Sequence, residues 1–211
     1  MKKEKERRTR SDKKRDVKPT ITIQLKECIY RLSYITNTPV KDVAETICEA
    51  GLVSRKVMDY LSQHFRRPVR LKNTLYMGDL DRSSLQKRSS AGQCERITIR
   101  LPQGTYENLT ALAYALDVTP SRATALLLDA SIRNSDFINE YVRDYLKQHL
   151  DDGRMRELKK VMKFINTNNP YEEEISWSAL LSFLFDELKI GASNISESIQ
   201  DWLDKWNRKE R

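Results

Sequence analysis

The six residues "RITIRL" at 96–101 most limit the possible folds of this chain, because they form a strand without a neighbouring partner strand. Odd-numbered positions are Ile, Ile and Leu, and even-numbered positions are Arg, Thr and Arg, the pattern of a half-buried strand. Helical spacing follows from about Gln103. Unpaired backbone groups are costly beside a buried face, so the partner strand must come from a distant segment or a second chain.

A candidate partner lies upstream at residues 20–25, "TITIQL", which alternates in the same way. Pro19 precedes it, at a position where a strand tolerates a missing N–H. We predict that the two segments pair as a two-stranded antiparallel ribbon. Its apolar face would pack on helices, and its polar face would point outward.

The chain contains two copies of one unit, each a strand followed by two helices. Thr38–Pro39 and Thr119–Pro120 are matching helix starts, with Thr as the N-cap and Pro in the first turn. These starts are 81 residues apart and the strands are 76 apart, which predicts a leading helix five residues shorter in the first copy. Residues expected on the buried helical faces are Cys28, Ile29, Leu32, Ile35, Val43, Ala44, Ile47, Ala123, Leu127 and Leu128.

Composition and periodicity predict five regions. Residues 1–18 hold ten Lys or Arg, four Asp or Glu and almost no apolar residues, which is typical of a disordered basic arm. A first unit at 19–66, a polar linker at 67–93 and a second unit with a following helix at 94–150 come next. Residues 151–211 have only helical periodicity and are expected to form a C-terminal helical domain.

The C-terminal region has three amphipathic stretches. The first carries an apolar stripe, and two more helices are expected at about 172–190 and 193–206. The stripe of the first stretch is Met155, Leu158, Val161, Met162 and Ile165. These helices would form a bundle with its own core, or also bind a protein partner or drive oligomerisation.

The charge distribution indicates a polyanionic partner. The formal net charge is +8, with +6 in residues 1–18, +5 in 19–90, -1 in 91–150 and -2 in 151–211. A basic half fits nucleic acid or an acidic membrane surface. The longest apolar run, 179–185, is too short to span a bilayer, so no membrane partner is expected. Three scattered cysteines and no apolar signal-like segment favour a reducing cytoplasm.

The sequence gives no indication of catalysis. It lacks phosphate-binding loop, dinucleotide-binding and nucleophile-elbow motifs. His64 and His149 lie in separate predicted helices, and the acidic run at 172–174 suits a helix N-terminus. We therefore expect no enzyme, no metal and no cofactor.

The segments "RITIRLP" and "LDVTPSRA" within 95–132, and more weakly "TITIQL" and "NTPVKDVA" within 19–52, resemble the ribbon-helix-helix family of DNA-binding proteins. The expected fold is therefore mainly α, with a two-stranded antiparallel β-ribbon built by tandem ribbon-helix-helix units and a C-terminal helical bundle. Such a ribbon fits the DNA major groove, where an arginine fork matches guanine and glutamine matches adenine.

The resemblance also implies sites. Outward strand residues would read bases, and the N-terminus of each second helix would hold a phosphate. The implied base-reading residues are Arg96, Thr98, Arg100, Thr20, Thr22 and Gln24. The implied phosphate-binding residues at the helices are Thr119, Ser121, Arg122, Thr38 and Lys41. In the arm, Lys13, Lys14, Arg15 and Lys18 would contact phosphates, or the arm would only keep the chain soluble.

We therefore predict a sequence-specific double-stranded DNA-binding protein, either a transcriptional repressor or regulator or a plasmid or phage maintenance factor. It would work in the cytoplasm at the nucleoid of a prokaryote, or be encoded by a phage or plasmid. The ribbon would form within one chain as a pseudo-dimer, or between chains of a homo-oligomer. The alternative is a helical protein-interaction adaptor or antitoxin-like partner that acts through its C-terminal bundle.

Overall fold

The computed structural model of the protein describes residues 14–86, 92–148 and 151–171. This part is mainly helical, with small antiparallel two-stranded sheets. The helices are α1 (Ile23–Thr36), α2 (Val40–Val53), α3 (Arg55–Ser62), α4 (Gln103–Leu116), α5 (Pro120–Ile132), α6 (Ser135–Gln148) and α7 (Asp152–Asn166). The strands are β1 (Arg15–Val17), β2 (Thr20–Thr22), β3 (Val69–Leu71), β4 (Thr74–Tyr76), β5 (Cys94–Arg96) and β6 (Ile99–Leu101).

Strands β1 and β2 pair antiparallel with β6 and β5, so the partner of the 96–101 strand comes from the same chain. Both pairs keep one register, and the Ile97 N–H donates to the Pro19 carbonyl between them at 3.1 Å. Pro19 has no N–H to return, which explains the break in the ladder. The four strands therefore form one ribbon, in which 15–22 lies along 94–101.

The first strand lies further upstream than predicted. It ends at Thr22, whose hydroxyl accepts a hydrogen bond from the Leu25 N–H at 3.2 Å and so caps α1. Ile23 and Gln24 belong to the first turn of that helix. The helices α1 and α4 are both 14 residues long, so the predicted five-residue difference is wrong. The alternation at 20–25 predicted a strand over residues that in fact begin α1, whose buried side chains include Leu25 and Cys28.

Each strand of the ribbon packs on the second helix of the other half. Strand β6 contacts α2, while β1 and β2 contact α5, and the two helices pack on each other. The inward ribbon residues are buried: Val17, Pro19, Ile21, Ile97, Ile99 and Leu101. Because of this exchange, the second helix of each half covers the strand of the other half, and the two halves share one core.

A glycine allows the close approach of α2 and α5. A Cβ atom at Gly51 would lie 2.9 Å from Cδ1 of Leu127 and would collide with the Ser131 side chain. Gly51 and Ser131 are both buried, and the Ser131 hydroxyl donates to the Leu127 carbonyl at 2.6 Å. The helix axes can therefore approach closely only without a side chain at this position.

The predicted helical core is confirmed: all ten residues expected on the buried faces of the first two helices of each unit are buried. Thr119 caps α5 by accepting a hydrogen bond from the Arg122 N–H at 3.3 Å. The matching threonine of the first unit does not cap α2. That helix begins after Pro39, and the Thr38 hydroxyl donates to the Thr36 carbonyl at 3.1 Å.

Residues 67–93, interpreted from sequence as a linker, contain the hairpin β3–β4, which docks on α4. The Arg66 and Arg67 N–H groups both donate to the Ala115 carbonyl, at 2.8 and 3.1 Å. Arg67 also pairs with Asp117 at 2.6 Å. Cations at the C-terminal end of α4 complement the helix dipole and hold the hairpin in place.

Helix α7 packs on α1, and its predicted apolar stripe is buried in the shared core. Arg31 Nε donates to Glu157 Oε2 at 3.0 Å across this contact. As far as residue 166, the C-terminal region therefore joins the shared core, although we expected a domain with its own. The two further helices, at about 172–190 and 193–206, lie outside the described residues.

No helix within the described ranges is both long enough and apolar enough to cross a membrane.

Candidate nucleic-acid interface

The outward face of the ribbon is a small polar surface formed by both strands. Strand alternation and the shared register place three side chains from each strand on this face. They are Asp16, Lys18 and Thr20 from the first strand and Arg96, Thr98 and Arg100 from the second. All are exposed except Thr20, which is half-buried. Three cations against one carboxylate give this outer ribbon face a net positive charge.

One ion pair crosses the outer ribbon face. Arg100 Nε lies 3.2 Å from Asp16 Oδ1, and both side chains are more than half exposed. Thr20 lies opposite Arg96 at the other end of the face. Within the described part of the chain, Arg96 and Lys18 form no ion pair, so their charges are available to a partner.

Four of the six predicted base-reading residues lie together on the outer ribbon face: Arg96, Thr98, Arg100 and Thr20. Gln24 does not, because the chain has turned into α1, where Gln24 is an exposed residue of the first turn. Thr22 is the last residue of β2; it is exposed and pairs with Cys94, and its hydroxyl caps α1. The structure thus places Gln24 apart from the outer ribbon face and Thr22 at the end of the ribbon.

The N-terminus of α5, predicted to bind phosphate, is covered by the segment that precedes the second unit. The Thr119 N–H donates to Gln86 Oε1 at 3.0 Å, and Arg122 Nε donates to the Leu85 carbonyl at 2.9 Å. Ser121 is half-buried beside them. Two donors assigned to a phosphate, the Thr119 N–H and Arg122 Nε, are therefore already paired within the chain.

The N-terminus of α2 differs, because no side chain caps it. Lys41 is exposed there, and Asp42 places a carboxylate in the first turn. The hydroxyl groups of Thr38 and Tyr145 are 3.5 Å apart, so Thr38 contacts α6. Asp42 would compete with a phosphate for the positive end of the helix.

The predicted arm residues fall into three environments. Lys14 Nζ lies 2.6 Å from Glu45 of α2, and this hydrogen bond raises the pKa of Lys14 above its usual value. Arg15 Nε donates to Gln103 Oε1 at 3.0 Å. Lys18 points outward from the ribbon, and Lys13 lies outside the described residues. Residues 15–17 are thus part of the fold, because β1 pairs with β6 and buries Val17.

Sequence reasoning missed Asp16 and assigned Lys18 to the arm. A signal was present: Val17, Pro19 and Ile21 are apolar at every second position, and the intervening residues are polar. The high charge of residues 1–18 suggested disorder and concealed the start of this alternation. Extending the alternating pattern upstream through Pro19 would have found both residues.

A groove of about 840 Å³ lies between α1 and α7. Tyr30 and Tyr34 line it, and both are about half exposed. Its cations are largely matched by acids, since Lys26 pairs with Glu95 and Glu157 accepts hydrogen bonds from two basic groups. With four cations and three acids in its lining, this groove has a smaller positive excess than the outer ribbon face.

The described residues contain no group of three His, Cys, Asp or Glu side chains able to hold a metal ion. Burial raises the pKa of the Cys28 thiol to about 12, and Cys48 is also buried, so neither is a reactive thiolate at neutral pH. Comparisons of the chain with family models, curated proteins and solved structures find no match.

Proposed function

We propose that the protein binds double-stranded DNA sequence-specifically by placing the outer ribbon face in the major groove. The observation that carries this proposal is the set of exposed residues Arg96, Thr98 and Arg100, aligned on one face of a two-stranded ribbon. The opposite face of that ribbon is buried by helices from both halves. A rigid ribbon with outward arginines has the shape and the donors that a major groove accepts.

The arrangement supports a tandem ribbon-helix-helix protein in which one chain supplies both strands. Each strand is followed by two helices, and the second helix of each half supports the strand of the other. In this proposal a single chain would form the pseudo-dimer, and the ribbon would pair without a second chain.

The two strands present different side chains, so the preferred DNA site would be asymmetric. One strand offers Arg, Thr and Arg, which suit guanine edges and thymine methyl groups. The other offers Asp, Lys and Thr. A symmetric dimer would favour a palindrome, whereas this ribbon favours a site without two-fold symmetry.

The biological role that fits this proposal is transcriptional repression or regulation, or plasmid or phage maintenance. Such a protein would act in the cytoplasm at the nucleoid. The alternative role, an adaptor or antitoxin-like partner, would depend on the C-terminal helices and would not require the ribbon cations. The two roles therefore make opposite predictions for substitutions on the outer ribbon face.

The test begins with selection of a preferred duplex from a randomised library, followed by measurement of its dissociation constant over a range of salt. Affinity should fall with a log–log slope of about -0.9 per phosphate neutralised. Arg96→Ala and Arg100→Ala should each weaken binding by about 1–3 kcal/mol and relax one position of the site.

Arg55→Ala is the matched control, because it removes the same charge from an exposed arginine of α3. It should leave the site preference unchanged. Affinity that is insensitive to salt, together with equal effects of all three substitutions, would refute DNA recognition by the ribbon and favour the adaptor role.

A further inference from the structure

We propose that Asp16 is a specificity-determining residue, which positions Arg100 for base recognition and disfavours non-specific DNA. This inference rests on the DNA-binding function proposed above. Its basis is the ion pair across the ribbon, in which Arg100 Nε lies 3.2 Å from Asp16 Oδ1. The two residues are register partners on opposite strands.

The backbone pairing brings these two side chains close together. The Ile97 N–H donates to the Pro19 carbonyl at 3.1 Å, so Pro19 and Ile97 form a hydrogen-bonded pair of the antiparallel ladder. Pairs alternate along an antiparallel ladder, so Asp16 and Arg100, three positions further along, form a non-hydrogen-bonded pair. Side chains of such pairs approach more closely, which favours a direct contact between the carboxylate and the guanidinium.

The geometry of the ion pair assigns different parts of Arg100 to different partners. The carboxylate of Asp16 meets the Nε edge of the guanidinium. The terminal nitrogens Nη1 and Nη2 are then the donors that would face the O6 and N7 acceptors of a guanine. An arginine held before binding loses less side-chain freedom when it contacts the base.

A carboxylate on a DNA-facing surface also has a cost that depends on the DNA sequence. It repels phosphates and base acceptors wherever the compensating arginine contact is not made. Among the described residues Arg96 has no carboxylate partner, and its register partner is Thr20. The two arginines should therefore differ, with stricter discrimination at the base pair read by Arg100.

The experiment compares Asp16→Asn with Asp59→Asn in the full chain. Asp59 is 52% exposed against 51% for Asp16 and also pairs with an arginine Nε, that of Arg55, on the surface of α3. It also accepts a hydrogen bond from Tyr76, which an asparagine oxygen can still accept. Both substitutions remove one negative charge. The specificity ratio is the affinity for the selected duplex divided by the affinity for a scrambled duplex. Asp16→Asn should lower it about tenfold, and Asp59→Asn should leave it unchanged.

A double-mutant cycle separates positioning from charge. If Asp16 acts through Arg100, the tenfold loss should disappear when Asp16→Asn is made in an Arg100→Ala chain. The base pair whose discrimination is relaxed should be the same for Asp16→Asn and Arg100→Ala. An undiminished effect in the Arg100→Ala chain, or equal effects of the Asp16 and Asp59 variants, would overturn the proposal.

A measurement without DNA keeps the two proposals distinguishable. The Arg100 side chain, observed by ¹⁵N relaxation of its Nε, should be more restricted in the native chain than in Asp16→Asn. Equal side-chain mobility would overturn the positioning of Arg100 even if the protein binds DNA. Failure of the native chain to enrich any duplex, with the mobility difference present, would instead overturn the DNA-binding function and with it the specificity role.

Discussion

The first and second halves of the molecule are alike where they are buried and different where they are exposed. Helices α1 and α4 have the same length, and each ends at a residue in the left-handed conformation, Asn37 at φ 48° and Asp117 at φ 55°. In both, the N–H of that residue returns to carbonyls of the last helical turn, a common helix ending. The shared core thus imposes the same geometry on both copies.

The exposed features of the two halves differ. One strand presents Asp, Lys and Thr outward, and the other presents Arg, Thr and Arg. The α5 N-terminus is covered by Gln86, whereas no side chain caps the α2 N-terminus. Surface residues can change independently in each half when both copies lie in one chain, which a symmetric homodimer does not allow. This difference is the physical origin of the asymmetric site proposed above.

The largest expected effect tests whether the halves share a single core. Ile99 is fully buried, opposite Val17 on the ribbon and over helix α2 of the other half. Ile99→Ala should lower the free energy of unfolding by about 2–5 kcal/mol. Urea unfolding followed by circular dichroism should show one transition at a lower midpoint. The control, Thr98→Ala on the exposed face, should change the free energy of unfolding by no more than about 0.5 kcal/mol. Two separated unfolding transitions would contradict a shared core.

A smaller effect is expected at the crossing of α2 and α5. Gly51→Ala places a methyl group against Leu127 and Ser131 and should destabilise the fold by about 1–3 kcal/mol. Gly104→Ala is the control, since a Cβ atom at this exposed α4 residue meets nothing within 4 Å. It should raise stability by up to about 1 kcal/mol. Thermal unfolding would reveal the opposite signs, and a neutral Gly51→Ala would show that the helices are less closely packed.

The third prediction compares the two threonines that follow the first helix of each half. Thr119→Ala removes the N-cap of α5 and should cost about 1 kcal/mol. Thr38→Ala should cost less than half of that amount, because Thr38 caps no helix. Chemical denaturation of both variants measures the difference. Equal losses would mean that the two helix starts are equivalent, as the sequence first suggested.

The smallest effect concerns the contact between α1 and α7, which has no counterpart on α4 among the described helices. Hydrogen bonds from Lys160 and Arg31 hold the pKa of Glu157 below its ordinary value of 4.5. A lowered folded pKa means that the stabilisation is present above about pH 4.5 and disappears as the pH falls further. Glu157→Gln should therefore cost about 0.5 kcal/mol at pH 7, and the cost should shrink as the pH falls below 4.5. A loss that does not change with pH would exclude this ion pair as its source.

The helices were predictable because their apolar spacing and caps are local signals. The buried stripes, the cap at Thr119 and the pairing of the two strand regions all follow from periodicity and unsatisfied backbone groups. The limits of the first strand, in contrast, could not be predicted from these local signals. "TITIQL" alternates over six residues, yet its last three residues begin a helix, and tertiary packing decided between two patterns of similar strength.

The candidate site was predictable only where it depends on strand alternation. The outward orientation of Arg96, Thr98 and Arg100 follows from the pleat once Ile97 and Ile99 are buried. The hydrogen bond between Gln86 and the Thr119 N–H does not follow from strand alternation, because it joins positions 33 residues apart through a single side-chain contact. The pairing of Asp16 with Arg100 depends on the register, which the misplaced strand limits concealed.

The register of the ribbon also determines the order in which the molecule can be completed during translation. Val17 pairs with Ile99, about 80 residues downstream, so the first half waits about 4–16 s for its partner strand at 5–20 residues per second. During that time α2 lacks the strand that covers it, and the apolar side of the first strand has no helix α5 to rest on. Pairing between such distant segments also slows folding, because a long loop must close before the contact forms. The nascent chain is therefore most prone to aggregation after the first unit has emerged and before strand β6 and helix α5, up to residue 132, have followed.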